Sequence, residues 1–342
     1  MTFVPSSALH GVLASIPSPS VSYIDLGPLR IHFYALCIIA GIIAATLLTN
    51  HRLTKRGAEP WVVIDISLIA VPLAIVGARI FHVLTHPGFY FGAEANPWNP
   101  FEPGSVWAIW EGGIAIYGAL IGGAVGAWLG CKWTGIRFWT FADALAPGLL
   151  LAQAMGRFGN WFNQELFGLP TDLPWGLEID DEIAQQLAPG LAPGTLFHPT
   201  FLYEVIWNTL GVLFLLWVGR KFQLQWGRLF GLYLVWYSAG RIVWESIRID
   251  PSEIILGLRS NVWAAIFGVI IGLAIFFIQK RRHPGFEPSP YVPGREWTPA
   301  GTVQSQDTGD FVDVSEPPTD ESTEGTAASQ ATSTGTSTVS SK

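Results

Sequence analysis

The sequence predicts an all-α polytopic membrane protein with seven transmembrane helices, a small extracytoplasmic head and a disordered cytoplasmic tail. Three observations carry this. Only 13% of the 342 residues are charged and 50% are hydrophobic, whereas a soluble domain carries about 25% charged residues. Seven stretches reach the roughly 20 apolar residues that cross a bilayer. Lys and Arg collect in alternate loops between those stretches, the pattern of cytoplasmic loops.

The elements follow in order. Residues 1–31 hold no Lys or Arg before Arg30 and carry Pro5, Pro17, Pro19 and Pro28. They lack the basic start of a signal peptide and read as an extracytoplasmic arm. The first span, 32–50, is followed by Arg52, Lys55 and Arg56; the second, 61–85, by residues 87–111 with no base at all. The third, 112–130, is followed by Lys132 and Arg137, and the fourth covers 138–160. Residues 169–199 again lack bases but carry Asp172, Glu178, Asp180, Asp181 and Glu182. The fifth span, 200–219, precedes Arg220, Lys221 and Arg228, and the sixth covers 229–248. A mixed turn, 249–260, leads to the seventh, 261–279, and to Lys280, Arg281 and Arg282. The N-terminus is therefore expected outside, the C-terminus in the cytoplasm, and 32–282 as one membrane domain. The long loops 86–111 and 169–199 are rich in Pro, Gly and aromatics and are expected to build the head, with one short helix near 180–188. From His283 the chain is rich in Pro, Ser and Thr, which predicts disorder. That tail holds nine acids and two bases, so it accounts for the whole net charge of −7, and the body sums to zero.

Several function classes are excluded. No basic stripe serves nucleic acid. Cys37 and Cys131 lie in apolar stretches and form no disulfide framework. His82 and His86 lack a carboxylate at ligand spacing, so no metal site and no cofactor is expected. Walker, HExxH and GxSxG patterns are missing from the sequence.

Ionisable groups inside a bilayer are expensive and mark function. Their depth is one-sided. His32, Tyr34, Arg79, His82, Tyr117, Arg157, Asn160, Asn163, Glu165, Tyr203, Glu204, Tyr237, Arg241, Glu245 and Arg248 all fall toward the outer ends of their spans. Only Asp65 and Asp143 fall in the inner half. This implies a polar cavity open to the outer leaflet, in which Arg157 and Arg241 hold a phosphate through forked hydrogen bonds. The plainer alternative is that Arg241 and Glu245, one helical turn apart, neutralise each other. Gly118, Gly122 and Gly126 recur every four residues and read as a helix-packing face.

The segment Gly156-Arg157-Phe158-Gly159-Asn160-Trp161-Phe162-Asn163-Gln164-Glu165-Leu166-Phe167-Gly168 resembles the signature of the bacterial prolipoprotein diacylglyceryl transferases. Further blocks agree in order: Leu29 to Tyr34, Gly77-Ala78-Arg79, Trp110 to Gly113 with Tyr117-Gly118, His198 to Glu204, and Tyr237, Gly240, Arg241, Glu245 and Arg248. The resemblance implies transfer of the diacylglyceryl group of phosphatidylglycerol to the lipobox cysteine of a prolipoprotein signal peptide. A thioether forms and glycerol-1-phosphate leaves, the first step of bacterial lipoprotein maturation. It also implies a multi-pass protein of the cytoplasmic membrane. By the same resemblance Arg157 and Arg241 hold the phosphate, and Asn160 and Asn163 orient headgroup hydroxyls or the arginines. Glu165 and Glu245 position the arginines or take a proton, and Gly168 permits a tight turn. Tyr34 and Tyr237 bond the headgroup or wall the cavity, and Arg79 and Glu204 complete the substrate-binding set.

The chain departs from the family at Tyr117, where many members carry a histidine proposed as the base. A tyrosine ionises near pH 10, so either a carboxylate is the base and Tyr117 a hydrogen-bond donor, the favoured reading, or Tyr117 is a phenolate in the cationic field of the arginines. His32 and Ala35 replace the usual Arg and Gly. Two other classes remain at this stage. A lipid transporter needs inner-half polar groups, which are scarce here, and a seven-span receptor needs no outer arginine cluster.

Overall fold

A computed structural model describes residues 15–298 except 28, 92–97 and 103. The first fourteen residues of the arm and the expected tail beyond 298 lie outside the described residues. The chain begins with a hairpin, β1 (Tyr23–Leu26) and β2 (Leu29–His32), that runs straight into helix α1 (Phe33–Thr54). There follow α2 (Val62–Thr85), the single turn α3 (Pro87–Tyr90), α4 (Ile116–Thr134) and α5 (Phe138–Phe162). Strands β3 (Leu177–Glu178) and β4 (Leu196–Phe197) flank the short helix α6 (Asp181–Leu187). Then come α7 (Thr200–Lys221), α8 (Arg228–Ile247), the hairpin β5 (Ile254–Ile255) and β6 (Leu258–Arg259), and α9 (Ser260–Arg282).

The protein is thus mostly helical, and each of the seven stretches read as spans forms a long helix. Four of these, α1, α2, α7 and α9, are long and apolar enough to cross a membrane by length and composition alone. The others fall short because α4 is rich in glycine and α5 and α8 carry polar side chains. The helix surfaces are those of a multi-pass membrane protein. Leu36, Ile39, Ile43 and Leu47 of α1 and Leu68, Val71, Ile75 and Leu84 of α2 are exposed, an apolar expanse too large for water. The buried faces instead carry small residues. A Cβ at Gly77 of α2 would come within 3.0 Å of the Cα of Gly122 on α4, and one at Gly126 within 2.6 Å of the Cα of Ala70. Small residues let backbones approach this closely, which is how helices associate in lipid. Helix α5 is central, packing on α1, α7 and α8.

One end of the bundle carries the head. Phe167, Leu177, Ile179, Ala184, Phe197 and Phe201 form its core, with Ile16 of the arm packed against them. Ile16 pairs in parallel with Leu177, extending the β3–β4 pair. Asp180 caps α6, its carboxylate accepting the Glu182 N–H at 2.9 Å. The loop 86–111 does not join this core. Among its described residues none enters the head cluster; it folds instead over the ends of α2 and α4, held by Arg79.

The opposite end is closed by residues 283–298. The expected disordered tail does not begin at His283. Tyr291 is buried, Arg137 donates from its backbone to Pro290 and from its side chain to the Tyr291 carbonyl, and Glu287 accepts from Thr140 and from the Trp226 N–H. The low hydrophobicity of this segment hid the fact that a few anchors suffice to hold it. Two further devices tie this end together. Pro147 lacks the N–H that would bond the Asp143 carbonyl, and Arg52 of α1 supplies a donor there at 3.1 Å. The Asp143 carboxylate accepts the N–H groups of Gly227 and Phe230, each at 2.8 Å, and so caps α8 from another helix.

Candidate active site

At the head end, two charged centres stand on neighbouring helices. The first is built on α5. Arg157 and Asn160 share one face there, and Arg157 donates to the Asn160 amide oxygen at 3.1 Å. The other Arg157 nitrogen lies 2.7 Å from a carboxylate oxygen of Glu204 on α7. Asn160 in turn donates to Glu165 at 2.6 Å. Glu165 reaches that position because the chain turns sharply after α5, with Gln164 and Leu166 at φ of 51° and 60°. Left-handed backbone at two non-glycine residues is strained and persists where its surroundings hold it. Gln164 accepts the Asp180 N–H at 2.8 Å, and Thr200 donates to the Leu166 carbonyl.

The second centre is built on α8. Glu245 has no exposed surface. One of its oxygens lies 2.9 Å from Arg241 and 3.5 Å from Arg248; the other lies 3.1 Å from Arg259 and accepts from Asn261 at 3.0 Å. Arg248 makes a forked pair with Asp250, at 2.6 and 2.9 Å, and Arg259 also reaches Asp250. The centres are joined by backbone. Gly168 pairs with Arg248, the Leu169 N–H donates to Ile247 and the Ile249 N–H to Phe167.

Charge is distributed unequally. At the first centre Arg157 faces Glu204 and, through Asn160, Glu165. Among the described residues Glu165 pairs with no cation and is held only by amides. At the second centre three guanidiniums face two carboxylates. The site therefore holds a carboxylate without a counter-ion beside a cluster with spare positive charge. Such a pair suits proton removal at one end and anion stabilisation at the other.

The prolipoprotein diacylglyceryl transferase family model matches residues 21–278, which takes in both centres. The chain belongs to the prolipoprotein diacylglyceryl transferase family. It is 57% identical over 327 residues to the phosphatidylglycerol–prolipoprotein diacylglyceryl transferase of Leifsonia xyli subsp. xyli, covering 94% of this chain and 97% of that protein. It is 47% identical over 279 residues to a second such transferase, from Streptomyces coelicolor, covering 80% and 84%. The corresponding protein of Paenarthrobacter aurescens is 47% identical over 273 residues.

Within this family member the expected site residues divide. Arg157, Asn160, Glu165 and Glu204 meet at the first centre, and Arg241 and Glu245 at the second. Glu204, not Glu165, is the direct partner of Arg157. Tyr34 lies against α5 beside them, its ring filling the space where a side chain at Gly159 would stand. Asn163 ends α5. Tyr237 stacks on Tyr233 with ring centroids 6.2 Å apart. Gly168 is needed for close approach and not for a turn: a Cβ there would lie 2.7 Å from the His198 Cβ and 3.0 Å from the Ile247 carbonyl oxygen. Arg79 stands elsewhere. It donates to the carbonyls of Ser105, Val106, Gly112 and Gly113, at 2.6 to 3.2 Å, and is a loop clamp. Tyr117 is 41% exposed beside Phe81 on α2, and among the described residues no hydrogen bond joins it to either centre. Sequence reasoning missed Asp250, Arg259 and Asn261. For Asp250 and Arg259 the signal was present: the turn 249–260 is the one loop that breaks the alternation of charge.

Proposed function

We propose that this chain transfers the diacylglyceryl group of phosphatidylglycerol to the lipobox cysteine of prolipoprotein signal peptides. The observation that carries the reading is the joining of two centres of opposite surplus charge, built from the family signature, at one end of an apolar bundle. Arg241, with spare positive charge behind it, holds the phosphate of the lipid; Arg157 and Asn160 hold the glycerol end. The acyl chains leave between helices into the bilayer. Glu165, free of a counter-ion, takes the thiol proton, since an unassisted cysteine has a pKa near 8.5 and is mostly protonated at neutral pH. The thiolate attacks the diacylglyceryl carbon that bears the phosphate ester. A carbon–sulfur bond forms as that carbon–oxygen bond breaks, and glycerol-1-phosphate departs with the electron pair, stabilised by Arg241. Glu204 and Glu245 position the arginines.

All seven long helices cross the cytoplasmic membrane of a bacterium in this reading. The head and N-terminus lie outside, and the basic loops and the 283–298 clasp lie in the cytoplasm. The test uses purified full-length protein, phosphatidylglycerol labelled in its acyl chains, and a lipobox peptide carrying Cys or Ser. Label is expected on the Cys peptide alone, with glycerol-1-phosphate released in equal amount. Absence of Cys-dependent transfer overturns the assignment.

A further inference from the structure

We infer that Arg259 and Asp250, in the turn between α8 and α9, set the charge available at Arg241 and thereby the selection of an anionic lipid headgroup. The inference rests on the phosphate-holding role of Arg241. An arginine tied to one carboxylate 2.9 Å away is internally neutralised and attracts a second anion weakly. Arg241 would be in that state if Glu245 had no other cation. Arg248 fills the need weakly, because its fork is held by Asp250 at 2.6 and 2.9 Å and its third nitrogen reaches only the Glu245 oxygen already facing Arg241, at 3.5 Å. Arg259 does fill it. Its Nε is 3.1 Å from the Glu245 oxygen that faces away from Arg241. That nitrogen makes no in-line hydrogen bond, so the contact acts through charge more than through direction. The remaining donors fix Arg259 in place, on the carbonyls of Arg248 and Asp250 at 2.8 and 2.6 Å and on the Asp250 carboxylate, shared with Arg248, at 3.2 Å. With Arg241, Arg248 and Arg259 against Glu245 and Asp250, the cluster carries one positive charge in excess. Arg259 is the member whose loss would remove it without touching the lipid, and Asp250 the member whose neutralisation would double it.

These are positioning residues, and their variants separate charge from packing. In the transfer assay, Arg259→Gln is expected to raise KM for phosphatidylglycerol about tenfold with a smaller change in kcat, from the loss of one nearby charge in a partly desolvated site. Arg259→Lys recovers most of that loss. Asp250→Asn lowers KM, and Arg259→Gln combined with Asp250→Asn returns toward wild type because the excess charge is restored. A packing role would make both single changes harmful and the double change worse. Unchanged KM in a folded Arg259→Gln protein, or a raised KM in Asp250→Asn, overturns the inference. Should Arg259→Gln fail to fold, as judged by its melting temperature, Arg259→Lys and Asp250→Asn alone decide it. Arg241→Gln separates the two levels: if it keeps a wild-type KM the headgroup assignment itself falls, whereas a raised KM there with an unaltered Arg259→Gln sinks only this inference.

Discussion

Glu165 and Glu204 look alike in sequence, each a glutamate at the end of an apolar stretch, yet their surroundings differ. Glu204 is buried and 2.7 Å from Arg157, so its charge is used in place. Among the described residues Glu165 has only the amide of Asn160 and a backbone carbonyl partner for its own N–H. Replacing Glu165 by Gln keeps the shape and an acceptor for Asn160 while removing the base of the proposed mechanism. We expect kcat to fall about 10²- to 10⁴-fold, the usual worth of a general base, with KM for phosphatidylglycerol little altered. An active Glu165→Gln enzyme would be incompatible with this role. The motif made these residues visible in the sequence because arginines, amides and carboxylates are rare inside spans. Which glutamate serves which arginine was not visible, since pairing is decided by the sharp turn at Gln164 and Leu166, and no local propensity announces left-handed backbone at those residue types.

Helices were the legible part. Seven apolar stretches became seven long helices, because length and hydrophobicity fix them locally. Packing partners followed only where small residues repeat, as on α4. There a Cβ at Gly122 would meet the Leu73 carbonyl on α2, whereas one at Gly123 would sit 3.5 Å from the Ala74 Cβ, an ordinary contact. Gly122→Leu is therefore expected to push α2 and α4 apart and destabilise the protein by about 1–3 kcal/mol or more. Gly123→Ala should be neutral or slightly stabilising, since Ala is the better helix former. Melting temperatures in one detergent check both, and equal values would rule out the close α2–α4 seam. Between α7 and α8 the seam is made by tryptophans instead. Trp207 donates to the Trp236 carbonyl and Trp236 to the Trp207 carbonyl, each at 3.1 Å. Neither indole is marked out by the spacing of the apolar residues.

Across the molecule, both ends are held by segments far apart in sequence. The clasp links the 55–61 turn, the α4–α5 turn and the α7–α8 turn through Tyr291, Arg295 and Glu287. Each of its hydrogen bonds is worth about 1 kcal/mol net, so a chain ending at Arg282 is expected to melt several degrees lower than the full chain. A chain ending at Thr298 keeps these anchors and should melt above the one ending at Arg282; equal melting of the two truncations would remove the clasp. Its anchors escaped sequence analysis because composition averages over a segment, and Tyr291 and Glu287 act singly. Glu245 has a different consequence, for biosynthesis. The ribosome releases α8 before the turn and helix that bring Arg259 and Asn261 to its carboxylate, and α8 is not among the helices long and apolar enough to cross a membrane by length and composition alone. An α8 leaving the translocon alone would carry the Arg241–Glu245 pair into hydrocarbon with one carboxylate oxygen unsatisfied, at a cost of several kcal/mol. The donors for that oxygen, Arg259 and Asn261, arrive only with the turn and the strongly apolar α9, so α8 and α9 are expected to leave as a pair.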